Sequence, residues 1–511
     1  MSLKKLLLSL IILSGILIVG FVMSGTLGPQ SIEKDVHLEA FKSLKREAQM
    51  TYEVDRNKAV IAEREEEARK KAEAMAIKEA EEKRLEDIRE NTYFAKIDTF
   101  IYTEPSIDAK TSHSLEAKSS VYVTSTQVDP GNQVRFLEVK TSIDATEKIG
   151  YVLAEQVVKN RFDFITNPIS DVDYTAYERR PLETNDIAVK AIFVTGHTAS
   201  NERMDELIQL IDETELNAVV IDVKDDNGYM LYPSSAAEAF NPEANDHAYL
   251  TDVKPLIEKL KEHDIYIIAR IVTFKSPLYA SSFPERAITY RDSGKLYSDG
   301  DRLLWASPHD RTLWDFNVSV AEEAASLGFD EIQFDYVRFP AIYRTDAMDY
   351  KNANGESRTA AIQNFLKYAN ERLKDTQVVI SADVFGWAAS ATDDVGIGQH
   401  WEAVSNVVDV VCPMMYPSHY GPGNFGLTVP DAFPYETIDR SIKAALNRNA
   451  NLETPGKLRP WIQDFTATWV KGHIRYGSKE VKAQIDALKA NGIDEYLVWN
   501  AGNYYSKDAF K

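Results

Sequence analysis

The sequence predicts a (β/α)8 barrel over residues 187–511, and three observations predict it. Eight short apolar runs recur there, helical patterns separate them, and polar, mostly acidic residues stand where the runs end. The runs are Val189–Thr195, Ala218–Val223, Tyr266–Val272, Glu331–Tyr336, Val378–Val384, Val407–Met415, Arg459–Asp464 and Tyr496–Asn500. Continuous apolar stretches of this kind suit parallel strands that are covered on both faces. Between them, Met204–Ile211, Val253–Leu260, Ala321–Leu327, Ile362–Leu373, Trp401–Val407, Ile438–Leu446 and Val481–Leu488 set apolar residues three and four apart, the helical spacing. That rhythm over this length is that of a closed barrel. An open doubly wound sheet is the rival. It is disfavoured because Thr195-Gly196-His197-Thr198 lacks the glycine spacing of a dinucleotide-binding turn.

Four other segments precede the barrel. Residues 1–24 predict a transmembrane signal-anchor, since Lys4 and Lys5 lead into the uncharged run Leu6–Met23. The lysines would hold the N-terminus inside, so the bulk of the chain would lie outside the cell membrane. Ser24-Gly25-Thr26 leaves cleavage and secretion open. Residues 33–91, rich in Ala, Glu, Lys and Arg and free of Pro and Gly, predict a long charged helix. Its apolar positions keep no clean heptad, which favours a solvated helix or weak coiled coil over a strong zipper. Residues 93–160 alternate short β runs with Pro, Gly, Asp and Ser. Lys148-Ile149-Gly150-Tyr151-Val152 resembles the closing strands of bacterial SH3-like domains, which implies a small barrel that either binds cell wall or peptide or serves as a packing spacer. Residues 161–186 read as a linker.

Composition narrows the function classes. Asp and Glu number 79 against 58 Lys and Arg, a net charge of -21, which argues against nucleic acid as a partner. The single cysteine, Cys412, lies in an apolar run and reads as a buried thiol. The nine histidines form no close pair, so no metal and no cofactor is expected.

Chemistry in such barrels sits at the C-terminal strand ends. Strand two ends at Asp222 and Asp225, and strand three carries Arg270. Strand four ends at Asp335, Tyr336 and Arg338; strand five at Asp383 and Trp387; strand six at Tyr416. Gln463 and Asp464 end strand seven, and Trp499 ends strand eight. A charge at the end of an apolar strand is costly unless paired or solvated, so several on one mouth point to a working site. Two carboxyls astride a sugar bond, one an acid and the other a nucleophile or base, are what glycoside hydrolysis requires. Tyr336, Trp387, Tyr416 and Trp499 would offer aromatic faces to sugar rings, with Asp222, Asp225, Arg270, Arg338 and Gln463 as polar contacts.

Gly328-Phe329-Asp330-Glu331-Ile332-Gln333-Phe334-Asp335-Tyr336-Val337-Arg338-Phe339-Pro340 resembles the strand-four signature of bacterial glycosyl-hydrolase-like barrels of uncharacterised function. Ile380–Gly386 and Val408–Tyr416 match later strands of that family in order, and the resemblance spans 187–511. It implies a (β/α)8 fold and a polysaccharide substrate. Similarity to amylase-type barrels implies Asp335 as nucleophile. Those barrels carry a Glu acid on strand five, where this chain has Asp383. A chitinase-type signature would need Glu where Val337 stands. The expectation is therefore a glycosidase acting on an extracellular or cell-wall polysaccharide through Asp335 and Asp383, with Asp464 and Asp225 in reserve. The alternative is a non-catalytic carbohydrate- or wall-binding surface protein on a degenerate barrel. A barrel aldolase would lean on Lys224 or Lys275, but no phosphate-binding glycine loop accompanies them.

Overall fold

The computed structural model describes residues 31–129, 131, 133–182 and 187–511. The expected membrane anchor at 1–24 lies outside the described residues. Among the described residues no helix is long and apolar enough to cross a membrane. The chain divides into two compact units, 1–91 and 92–511.

Among the described residues the first unit contributes one helix, α1 (Ser31–Asn91). At 1.5 Å per residue its 61 residues reach about 90 Å. Leu44, Met50, Tyr52, Ile61, Met75 and Ile77 are all exposed, so among the described side chains no apolar stripe is buried. Ion pairs one turn apart, such as Arg69 with Glu66 at 2.9 Å, lend the modest support expected of exposed pairs.

The second unit opens with a seven-stranded sheet. Its strands are β1 (Thr92–Ala95), β2 (Thr99–Tyr102), β3 (Thr111–Leu115), β4 (Ser120–Val128), β5 (Arg135–Lys140), β6 (Gly150–Leu153) and β7 (Val157–Val158). Spatial order is β3-β2-β6-β5-β4-β1-β7, and every pairing is antiparallel. Ile101, Val121, Val139 and Val152 fill its core.

Of the expected linker 161–186, residues 183–186 lie outside the described residues and 161–182 are bonded along the barrel. Arg179 donates to the carbonyls of Val408 (2.7 Å), Thr454 (2.8 Å) and Ser405 (3.1 Å). Asp173 N donates to Gln363 Oε1 at 2.9 Å. The composition of this segment signals irregular backbone, but its arginines find carbonyls that helix and strand ends leave unpaired.

The barrel strands are β8 (Lys190–Val194), β9 (Ala218–Lys224), β10 (Tyr266–Val272), β12 (Glu331–Asp335), β14 (Val379–Phe385), β15 (Val410–Met414), β17 (Trp461–Gln463) and β18 (Tyr496–Trp499). Short strands β11 (Thr289–Tyr290) and β13 (Met348–Asp349) pair over the loops, and β16 (Lys457–Leu458) leads into β17. All eight barrel strands pair in parallel, and the β14–β15 pairing makes the ring continuous. The expected (β/α)8 barrel is present.

Alternation assigns the two faces of each strand. Ile192, Val219, Ile221, Ile267 and Ile332 point out and pack under the helices. Ala191, Phe193, Val220, Ile268, Cys412, Trp461 and Leu497 point in and fill the barrel. The helix Arg311–Leu327 shows how sequence sets a boundary. Asp310 accepts from Thr312 N at its start, and Gly328 closes it at φ 101°, where a Cβ would be strained. At the N-terminal end of the barrel, buried Arg459 bonds Glu331 (2.7 Å) and Glu495 (2.7 Å). A cavity of about 670 Å³ opens at that end beside Tyr266, Asp330, Val379, Lys457 and Arg459. These residues begin strands rather than end them, so this cavity is remote from the face where barrel chemistry lies.

Candidate active site

Arg270 stands at the centre of the opposite, C-terminal face. Register places it beside Asp222 on β9, with Asp335 two positions further along β12. Its Nη1 donates to Asp222 Oδ1 at 2.5 Å. Its Nε and Nη2 donate to Asp335 Oδ2 at 2.9 and 2.6 Å. The guanidinium lies 5.5 Å from the ring centroids of both Phe193 and Trp499. Arginine stays charged under these conditions, so it supplies a permanent cation to two carboxylates. Burial pushes the Asp222 carboxyl up to about 7, against the pull of Arg270.

Asp383 on β14 is in a different environment. Its Oδ1 accepts the indole N–H of Trp461 at 2.7 Å. Its Oδ2 is sealed and has no partner among the described residues. Burial, and then the negative charge of nearby Asp335, push its carboxyl well above the usual range. Asp383 is thus shifted toward its neutral form, while Asp335 is held by a guanidinium. Two neighbouring carboxyls with divergent environments are the pattern of an acid and its anionic partner.

Tyr336, directly after Asp335, adopts φ 49°. That left-handed conformation costs a bulky residue roughly 1–2 kcal/mol and is retained where the surroundings impose it. Asp335 Oδ1 accepts the Tyr336 N–H at 2.5 Å, which helps to hold the turn. Lys275 Nζ lies 4.3 Å from the Tyr336 ring centroid and donates to its Oη at 3.2 Å. Arg338 lies among the rings of Trp305, Tyr336 and Phe385. Tyr416 is buried, and burial plus the charge of Asp383 push its phenol well up, so it remains a donor.

The structure therefore gathers Asp222, Arg270, Asp335, Tyr336, Arg338, Asp383 and Tyr416 around one mouth. Trp387 is 41% exposed after β14 and meets Tyr420 edge-on, leaving much of its surface free. Trp499 stacks on Phe193 at 4.1 Å and is partly a packing residue beside Arg270.

Three expected residues have other work. Asp225 Oδ1 accepts the backbone N–H groups of Asn227, Gly228 and Tyr229, each at 2.9 Å, and so shapes a turn. Asp464 has both oxygens held by Ser506, through N and Oγ at 2.7 Å, which fastens the C-terminal segment. Gln463 accepts from Ser418 N (3.1 Å) and donates to Asp431 (3.1 Å) and the Phe465 carbonyl (2.9 Å), so its amide is fully used. Sequence reasoning passed over Trp461 and Asp226. Asp226 lies 3.8 Å from Arg270 and 3.5 Å from Lys275. The signal for Trp461 was the two-residue period on its strand, which sets it on the inward face with Arg459 and Gln463. Among the described residues no group of three or more His, Cys, Asp or Glu is placed to hold a metal ion.

The chain is similar to several solved structures. A hypothetical protein from Ruminiclostridium thermocellum ATCC 27405 is 34% identical, over 38% of this chain and 97% of that one, with a TM-score of 0.33. The glycoside hydrolase domain of PgaB (BpsB) from Bordetella bronchiseptica is 12% identical, over 64% and 99%, with a TM-score of 0.45. The glycoside hydrolase domain of PelA from Pseudomonas aeruginosa is 11% identical, over 62% and 97%, with a TM-score of 0.37. No match is found among curated proteins. Residues 191–505, most of the barrel and the whole mouth just described, match one family model, and the chain belongs to that family, described as “Putative glycosyl hydrolase domain”.

Proposed function

We propose that the barrel hydrolyses glycosidic bonds of an extracellular or cell-wall polysaccharide. One observation carries this reading: Asp383 is a buried carboxyl, one oxygen bonded to the Trp461 indole and the other without a partner among the described residues, beside an Asp335 held by Arg270. Asp383 would donate its proton to the departing sugar oxygen. Asp335 would act on the anomeric carbon as nucleophile or through water. The net reaction consumes one water and leaves a new reducing end. Arg270 would fix Asp335, and Trp461 would aim Asp383. Trp387 and Tyr416 would meet the sugar rings. An N-terminal anchor and the seven-stranded sheet would keep the barrel at the membrane and near the wall.

A second reading is a carbohydrate-binding barrel without catalysis. It draws on the engagement of both Asp335 oxygens, by Arg270 and Tyr336 N, and on the sealed Oδ2 of Asp383. Incubating the full chain with a panel of wall polysaccharides and assaying reducing ends separates the two. Release of reducing ends by the native chain and none by Asp383→Asn is expected. Tight binding with no release by the native chain would establish the second reading instead.

A further inference from the structure

Arg338 differs from Arg270 in what surrounds it. Arg270 meets carboxylates on two sides. Arg338 is only 8% exposed, yet among the described residues its side chain makes a single hydrogen bond, from Nη1 to the Phe339 carbonyl at 3.0 Å. Its Nε and Nη2 donate to nothing there, and they are not among the sealed, unpartnered atoms, so both still reach solvent.

Three rings surround the guanidinium: Phe385 at 4.5 Å, Trp305 at 4.8 Å and Tyr336 at 5.0 Å. Aromatic faces offset part of the cost of burying a cation, but they accept no conventional hydrogen bond. The Nε and Nη2 edge therefore retains three N–H donors without acceptors, in the fork that matches the two oxygens of a carboxylate. A sugar hydroxyl would fill one of these positions. A carboxylate would fill the edge and neutralise the charge.

Position ties this edge to the mouth. Arg338 follows Asp335 by three residues, and Phe385 follows Asp383 by two on the same strand face. Tyr336, whose left-handed turn lies between Asp335 and Arg338, has Lys275 over its ring as well. A second cation thus stands beside the one that is unpaired.

We propose that the open edge of Arg338 binds a carboxylate on the substrate. The polysaccharide would then be an acidic one, with a uronic acid or a lactyl-bearing sugar next to the bond at Asp335 and Asp383. That the ligand is a sugar rests on the glycosidase reading; the anion site rests on Arg338 itself.

Calorimetric titration of the full chain tests it. The probes are glucuronate, galacturonate and N-acetylmuramate, each against its neutral counterpart glucose, galactose or N-acetylglucosamine. At least one acid sugar should bind tighter than its neutral counterpart by about tenfold or more. Arg338→Met should abolish that preference, and Arg338→Lys should weaken it, because an ammonium keeps the charge but not the two-donor edge. The lysine variant serves also where the methionine variant does not fold. If no acid sugar is preferred, or if the preference survives both substitutions, the proposal is overturned. Hydrolysis of neutral glycans alone would sink it while sparing the glycosidase reading. Acid-sugar binding without hydrolysis of any glycan would do the reverse.

Discussion

Trp461 on β17 reaches past β15 to donate its indole N–H to Oδ1 of Asp383 on β14, at 2.7 Å. This bond favours the ionised form of Asp383 and opposes the effect of burial. Trp461→Phe removes the donor while keeping a ring in the barrel. The Asp383 carboxyl should rise further, by about one pH unit for a bond worth roughly 1.5 kcal/mol. The alkaline limb of kcat/KM against pH should move up accordingly. An unmoved limb would show that Asp383 is not the titrating acid.

Asp335→Asn and Asp383→Asn should separate structure from chemistry. Each should lower hydrolysis by about 100-fold or more, the usual contribution of a positioned carboxyl. Their stabilities should diverge. Asp335 shares Arg270 with Asp222, and breaking a buried ion pair costs about 3–5 kcal/mol. Burial already disfavours a charge on Asp383, and an amide oxygen can still accept from Trp461. Thermal unfolding should therefore show a clear fall in Tm for the first variant and little change for the second.

Lys224 is fully buried 5.1 Å from the Phe316 ring centroid, with no hydrogen-bond partner for Nζ among the described residues. Burial brings its ammonium down to about 7. The folded state then binds fewer protons than the unfolded state between pH 7 and the ordinary lysine range. Stability from this group should rise with pH across that window. Lys224→Met should raise Tm most at pH 7 and below, and should flatten the rise seen in the native chain between about pH 7 and 10. A lower Tm at pH 7 would contradict this account.

At the other end of the barrel, Glu331→Gln tests the ion cluster around Arg459. Removing one charge from the Glu331–Arg459–Glu495 group should cost about 3–5 kcal/mol. Hydrolysis by the folded fraction should change little, because this cluster lies at the strand starts and the Glu331 charge acts on Asp383 less than burial and Asp335 do. Denaturant melts and activity normalised to folded protein check both halves.

Much of the fold is legible in the sequence because burial on both faces leaves a direct trace. Tyr266–Val272 is read and observed with the same limits, and Ala218–Val223 differs only by the addition of Lys224. Strand seven is shorter than expected, Trp461–Gln463, because Arg459 turns inward to its ion pairs and Pro460 interrupts the ladder. The acidic strand ends were equally visible, yet their roles were not. Asp335, Asp383 and Asp464 look alike in the chain. One meets Arg270, one meets Trp461, and one meets Ser506. Periodicity alone determined the barrel and the residues at its rim, since the pattern of apolar side chains follows from which faces are buried. Only the closed sheet decided which carboxyl meets a guanidinium, which is sealed against an indole and which is a fastening. Those roles depend on charges and donors brought close from strands far apart in sequence, within a medium too apolar to screen them.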